Sequence, residues 1–181
     1  MPATPPRQLT DLPGTERLTL RPWTLDDAPR VLELYSSMEV VRWLGAGPPR
    51  VLTTLDDARE RIASDWDRSL VAPRGVWAVV PRATEVPVGS VLLVDLPSSG
   101  GEVEIGWHLH PDSWGHGYAT EAARAVLAHG FAGGLRTIWA TTHLTNERSQ
   151  AVCRRLGMTD RGTTREWYDV DSRAFSLTRP G

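Results

Sequence analysis

Lysine is missing from this chain of 181 residues: all twenty of its basic side chains are arginine. We read that as a bias of codon usage, not a functional clue. Against twenty-two carboxylates the arginines leave a formal charge of −2, which offers no electrostatic footprint for general nucleic-acid binding. Cysteine is nearly absent too. A lone Cys153 rules out an internal disulfide and a cysteine metal cluster, and its place in a helical pattern suits a small buried hydrophobe. Long apolar runs are lacking: the longest purely aliphatic one, Val91 to Val94, falls far short of the roughly 20 residues a membrane helix needs. The opening MPATPPRQLT has no apolar signal core, so residues 1–15 read as a flexible leader and residues 16–181 as one domain. A cytoplasmic location, with no membrane and no nucleic-acid partner, is the default expectation. Hydrophobic content of 40% and charged content of 23% belong to a soluble globular protein with one substantial core.

The most informative stretch runs from Glu102 to Phe131, EVEIGWHLHPDSWGHGYATEAARAVLAHGF. Its front half alternates as a strand does: Val103, Ile105, Trp107 and Leu109 fall on one face, and Glu102, Glu104, Gly106, His108 and His110 on the other. Pro111 ends the strand, since proline cannot donate to a ladder. From Ala119 to His129 the spacing turns helical, with Ala122, Ala123, Val126 and Leu127 as the apolar stripe and Gly130 placed for a left-handed C-cap. Between them lies Trp114-Gly115-His116-Gly117-Tyr118-Ala119-Thr120. Its small residues let the backbone approach a ligand, its amides have no intrahelical partner, and the helix dipole adds roughly half a positive charge. That combination suits a phosphate or pyrophosphate. A tight turn with no ligand fits the same residues.

Around this centre, Glu16 to Pro22 alternates as a first strand. Thr24 opens a helix to about Ser36, and the same Thr-Leu-Asp-Asp-Ala string opens another from Thr54 to about Trp66, a recurrence of capping chemistry and not a repeat. Between them, Val41-Arg42-Trp43-Leu44 leads into Gly45, Gly47, Pro48 and Pro49, either a lid over a substrate or ordinary packing of Trp43 beneath a turn. Gly75 to Pro81 and Val86 to Leu96 read as a hairpin pair; Leu135 to Thr142 is a strand and Asn146 to Leu156 a helix stopped by Gly157. Met158 to Arg161, Arg165 to Tyr168 and Ala174 to Thr178 read as short closing strands, the last two joined across Asp169 to Ser172.

The string WGHGYATEA resembles the pyrophosphate loop of the GNAT superfamily, the acyl-CoA-dependent N-acetyltransferases, which reads Gln/Arg-x-x-Gly-x-Gly/Ala. Trp114, Gly117 and Ala119 stand at its three marked positions, Trp114 departing from the usual Gln or Arg. The string is most similar to the branch of Rim-type acetyltransferases of ribosomal-protein N-termini. The segment from Asn146 and Ser149 through Leu156-Gly157-Met158 looks like the same family's second motif. The resemblance covers about Glu16 to Thr178. It implies an α/β (α+β) GNAT fold, a mixed, mostly antiparallel central sheet flanked by helices in the order β-α-α-β-β-β-α-β-α-β-β.

The resemblance also implies a chemistry: transfer of an acetyl group from acetyl-CoA, as co-substrate, to a primary amine by direct attack in a ternary complex. Glu104 is then the first candidate for the base, with Glu102 and His108 in reserve; a solvent-facing strand glutamate is the plain alternative. Backbone around Trp107, His108 and Leu109 would line the cofactor and supply an oxyanion donor, with Gly106 marking a bulge or a close backbone approach. The loop Trp114, Gly115, His116, Gly117, Tyr118, Ala119 and Thr120 would hold the pyrophosphate. Asn146 would contact the pantetheine arm and Ser149 the CoA sulfur; N-terminal capping of the last helix explains both residues equally. His108, His110, His116 and Asp112 invite a metal, but the chemistry needs none, and none is expected. Trp167 and Tyr168 read as packing or dimer contacts, and pairing of late strands, common in the family, points to a homodimer. The acceptor is a small-molecule or peptide amine; slight negative charge favours a cationic one. A non-catalytic acyl-CoA sensor of the same fold is the alternative from another class. A Rossmann dinucleotide binder fails, because its glycine motif should follow an early strand of a βαβ unit.

Overall fold

The computed structural model describes residues 4–5, 9–45 and 47–179. Strand β1 (Leu18–Pro22) leads through a 3-10 turn (Leu25–Asp27) into helix α1 (Ala28–Ser36). The helix expected from Thr24 therefore starts as a tighter turn, where the Asp27 carboxylate accepts the Thr24 amide at 2.9 Å and pairs with Arg21 at 2.7 Å. A short helix α2 (Met38–Val41) follows, and α3 (Leu55–Asp67) opens on the expected cap. There the Asp57 amide donates to Thr54 Oγ1 at 3.1 Å while the Asp57 carboxylate accepts the Thr54 amide at 2.9 Å. The chain continues through β2 (Gly75–Pro81), β3 (Gly89–Asp95), β4 (Val103–Leu109), α4 (Tyr118–Ala132), β5 (Thr137–His143), α5 (Glu147–Arg155), β6 (Thr159–Thr164) and β7 (Ser172–Thr178).

All seven strands form one sheet in the order β1-β2-β3-β4-β5-β7-β6. Strands β1 to β4 pair antiparallel, and so do β5, β7 and β6. The two blocks meet where β4 and β5 run parallel, and there the register holds a single pair, Glu104 with Trp139. A parallel neighbour requires a crossover, which α4 supplies. Tyr35 of α1 reaches Ser90 and His108, whereas Gly130 of α4 faces Leu93 and Ile138. Side chains alternate across a strand, so α1 and α3 cover one face of the sheet and α4 the other. Among the described residues no helix is long and apolar enough to cross a membrane.

Three expectations are corrected. Of the flexible leader expected over residues 1–15, residues 1–3 and 6–8 lie outside the described residues, but Leu9 and Leu12 are only 5% and 6% exposed and join the core. Leu12 donates its amide to Leu20 O at 2.9 Å and Thr10 O accepts from Trp77 Nε1 at 3.0 Å, so two leucines in a polar stretch suffice to anchor it. Gly130 is not a cap: α4 runs on to Ala132 and stops at Gly133-Gly134, where Gly134 has φ +94°. Gly130 instead lets α4 lie close on the sheet, since a Cβ there would stand 2.8 Å from Ile138 Cδ1 and 3.0 Å from Leu93 Cδ2. Finally, Arg165 to Tyr168 is no strand. The last hairpin is β6 with β7, and residues 165–171 form the loop between them.

Both atoms above Gly130 belong to fully buried side chains. Gly130→Val should therefore lower stability by about 2 kcal/mol through overpacking, although valine has the better helix propensity. The urea midpoint of the variant against the parent measures it; an unchanged midpoint would mean that α4 is free to shift outward.

Candidate active site

Glu104 lies on the face of β4 turned toward α1 and α3, and it is only 9% exposed. Its Oε2 accepts from Thr141 Oγ1 at 2.9 Å, and its Oε1 accepts a hydrogen bond from the Tyr168 hydroxyl. Thr141 stands two residues beyond Trp139, the register partner of Glu104, so β5 presents it to the same face. Burial raises the proton affinity of Glu104 above the ordinary carboxylate range, while Tyr168, Thr141 and the charge of Arg68 pull it back. The glutamate is thus neither solvent-facing nor bare. Two residues earlier, Glu102 accepts from Trp167 Nε1 at 2.9 Å.

His108 shares this face. Its Nδ1 lies 3.1 Å from the Tyr35 hydroxyl, which also touches Ser90 Oγ at 3.2 Å, and Trp23 Nε1 donates to that serine at 3.0 Å. Burial and the nearby Arg61 and Arg68 drive the imidazole pKa down to about 3, so the ring is neutral. Arg61 stacks over the Tyr35 ring at 4.4 Å and reaches Asp65 at 3.3 Å. Arg68 lies 3.7 Å from the same carboxylate.

On the opposite face, Trp107 Nε1 donates to Ser149 Oγ at 3.1 Å, linking β4 to the first turn of α5 across the strand junction. Asn146 Oδ1 accepts the Ser149 amide at 3.1 Å and so caps that helix. The serine oxygen accepts a hydrogen bond from the indole N–H, which leaves its own O–H to point elsewhere.

The connection from β4 to α4 turns on Gly115 and Gly117, with φ of +83° and +80°. None of the amides from Gly115 to Thr120 donates to another described residue, so the start of α4 presents a row of free donors. Trp114 Nε1 donates to Leu109 O at 2.9 Å, tying the loop to the end of β4, and Arg148 packs over its ring at 4.5 Å. Arg17 donates to His116 O at 3.0 Å and pairs with Glu121 at 2.6 Å. Arg17 and Glu121, with Gly117, Thr120, Arg124 and Arg155, line a depression of about 420 Å³. The three histidines part company: His108 meets Tyr35, His110 Nδ1 accepts the Asp112 amide at 3.3 Å, and His116 stacks on Tyr118.

Residues 17–159 match the family described as the acetyltransferase (GNAT) domain. The chain belongs to the GNAT acetyltransferase family. It is an acyltransferase, and relatives named as N-acetyltransferases align along nearly its whole length. The uncharacterized N-acetyltransferase p20 of Bacillus licheniformis is 28% identical over 164 residues, which is 90% of either protein. A GNAT-family acetyltransferase structure from Bacillus anthracis superposes with a TM-score of 0.76 at 25% identity, over 93% of this chain and 98% of that one. The fold is also that of RimL, a ribosomal L7/L12 α-N-protein acetyltransferase solved with coenzyme A, at a TM-score of 0.77 and 16% identity over 93% and 97% of the two chains.

The structure of this GNAT chain brings Glu104, Trp107, His108 and Ser149 around the β4–β5 junction and sets the loop from Trp114 to Thr120 at its end. Pairing with β3 runs unbroken from Gly89↔Leu109 to Asp95↔Val103, so no bulge sits at Gly106 on that side. A Cβ at Gly106 would stand 3.1 Å from Leu92 Cδ1, so what crowds the glycine from within the chain is a side chain and not a second backbone. Sequence reasoning missed Thr141, Tyr35, Arg61, Arg68 and Arg17, and it set Tyr168 aside as packing.

A neutral His108 has a consequence for stability. Its proton affinity is depressed in the fold, so below about pH 6.5 the unfolded chain takes up a proton that the folded chain refuses until about pH 3. Its contribution to stability is therefore lost as pH falls through that window, at about 1.4 kcal/mol per pH unit. Between pH 7 and pH 5, His108→Gln should lose about 2 kcal/mol less than the parent in urea unfolding. Equal losses would show that the ring takes up its proton inside the fold.

Proposed function

We propose that this protein transfers the acetyl group of acetyl-CoA to a primary amine, a peptide N-terminus or a small molecule, by direct attack within a ternary complex. One observation carries the reading: the β4–β5 junction, held by a single register pair, has a buried carboxylate on one face and an indole-bound hydroxyl on the other. The free amides from Gly115 to Thr120 fit a pyrophosphate, and Arg17, Arg124 and Arg155 line the same depression. The fold it shares with RimL, solved with coenzyme A, supports the Rim-like branch.

Glu104 takes the proton of the incoming ammonium, directly or through one water, and frees the nitrogen lone pair. A carboxylate of raised proton affinity suits that task better than an ordinary one. As the C–N bond forms, negative charge gathers on the thioester oxygen and is met by a backbone amide near Trp107, on the part of β4 beyond its bridge to β5. When the C–S bond breaks, the Ser149 hydroxyl, its oxygen held by Trp107, donates a hydrogen bond to the departing thiolate, and the second proton that the nitrogen sheds on becoming an amide turns that thiolate into the thiol. Cys153 has no part in this; burial pushes its thiol up to about 12.

The reading separates into binding and chemistry. Acetyl-CoA should bind the parent in titration calorimetry, and Gly117→Glu should abolish that binding by placing a carboxylate among the loop amides. Glu104→Gln and Ser149→Ala should bind acetyl-CoA normally and release thiol about a hundredfold or more slowly with an amine panel. A folded parent that binds no acetyl-CoA would sink the proposal.

A further inference from the structure

The loop between β6 and β7 grips the candidate base. Consecutive residues of that loop donate to two carboxylates at the start of β4, one just before it and one within it: Trp167 Nε1 to Glu102 Oε2 at 2.9 Å, and the Tyr168 hydroxyl to Glu104 Oε1. Trp167 is buried, and its ring packs 4.9 Å from that of Trp139, the β5 residue in register with Glu104. The loop is thus seated on both strands of the junction. Tyr168 itself is half-buried, at the edge of the cluster.

Resting on the reading of Glu104 as the base, we propose that Tyr168 is its positioning residue: the Tyr168 hydroxyl, opposite Thr141, fixes the orientation of the Glu104 carboxylate at the strand junction. A glutamate side chain has three torsions, and a buried one left free to rotate loses the geometry a proton transfer needs. Here each oxygen holds one donor, so the plane of the carboxylate is set and each oxygen keeps a lone pair for the amine proton.

The same contact sets the charge of the base. Burial favours the protonated acid, which cannot accept a proton; the two donors favour the carboxylate. The other groups on this face are Arg68 and, deeper in α3, Arg61 with Asp65, together with Glu102 and neutral His108 along β4. Burial and the neighbouring carboxylate push the proton affinity of Tyr168 up, so it remains a donor at every working pH. Without its hydroxyl, burial acts on Glu104 with one donor fewer, and the carboxylate is protonated at a higher pH.

The test uses the full chain as parent, Tyr168→Phe, Trp167→Phe and Glu104→Gln. Infrared spectra taken against pH follow the protonated-carboxyl band that disappears in Glu104→Gln. In Tyr168→Phe its midpoint should rise by about one pH unit or more. The acid limb of kcat/KM, measured with an acceptor amine that titrates below the range scanned, should rise with it, leaving KM for acetyl-CoA unchanged. Trp167→Phe loosens the loop but keeps the donor, so it should leave both midpoints in place. If Tyr168→Phe fails to fold, Thr141→Val removes the opposite donor and should give the same upward shift. Parent-like midpoints in the folded Tyr168→Phe, or equal shifts in Trp167→Phe, would reduce Tyr168 to packing and overturn the proposal. Full acetyl transfer by Glu104→Gln would instead remove Glu104 as the base, and this inference with it.

Discussion

The structure depends on how little β4 and β5 hold each other. Each strand is committed elsewhere: β4 pairs with β3 along seven residues, and β5 with β7 along seven. Between themselves they share one parallel register pair. A parallel pair is slightly weaker per residue than an antiparallel one, and the twist of each block turns its edge strand away from the other. Past Glu104↔Trp139 no further register pair joins β4 to β5, and Gly106 to His108 are half-buried where Val103 to Ile105 are buried. An interrupted sheet costs hydrogen bonds at this junction, which polar side chains border on both faces.

Those two faces differ in chemistry because different helices cover them. Below α1 and α3 lie ionisable groups placed against their preference for water: a buried glutamate with two donors, a neutral histidine, and an aspartate shared by two arginines. Each is tolerable because hydrogen bonds or opposite charge offset its burial. On the α4 and α5 face the polar groups are fewer and are set by helix ends. Asn146 caps α5 and thereby holds Ser149, which Trp107 reaches from the sheet. The alternative between capping and function at Asn146 and Ser149 dissolves here, since the cap is what positions the hydroxyl.

The departure at Trp114 finds an explanation in the same terms. The loop offers main-chain amides, so the side chain at that position need not touch a ligand. Trp114 uses its indole N–H on the carbonyl of Leu109 and its ring face on Arg148, fixing the loop to the end of β4 and to α5.

What the sequence by itself determined is whatever rests on contacts within a few residues. The alternation from Val103 to Leu109, the Thr54–Asp57 cap, the glycines of the Gly115–Gly117 turn and the helix from Asn146 all follow from local periodicity and capping, and the fold was implied by the family resemblance that two of these segments carry. Glu104 was legible as a strand residue on the polar face, but not as a buried one, because burial depends on what other segments bring. Gly130 looked like a stop signal, since nothing local tells a helix-ending glycine from one required by the side chains of Leu93 and Ile138. Leu9 and Leu12 looked like part of a leader because their partners lie in strands still to come. Tyr168 is the sharpest case. It stands 64 residues from Glu104, in a loop whose apolar and aromatic residues suggested a strand, and only the closure of β6 onto β7 carries it back to the carboxylate. Short-range periodicity can place a residue on a face. Which distant hydroxyl meets it there is decided by the packing of the whole sheet.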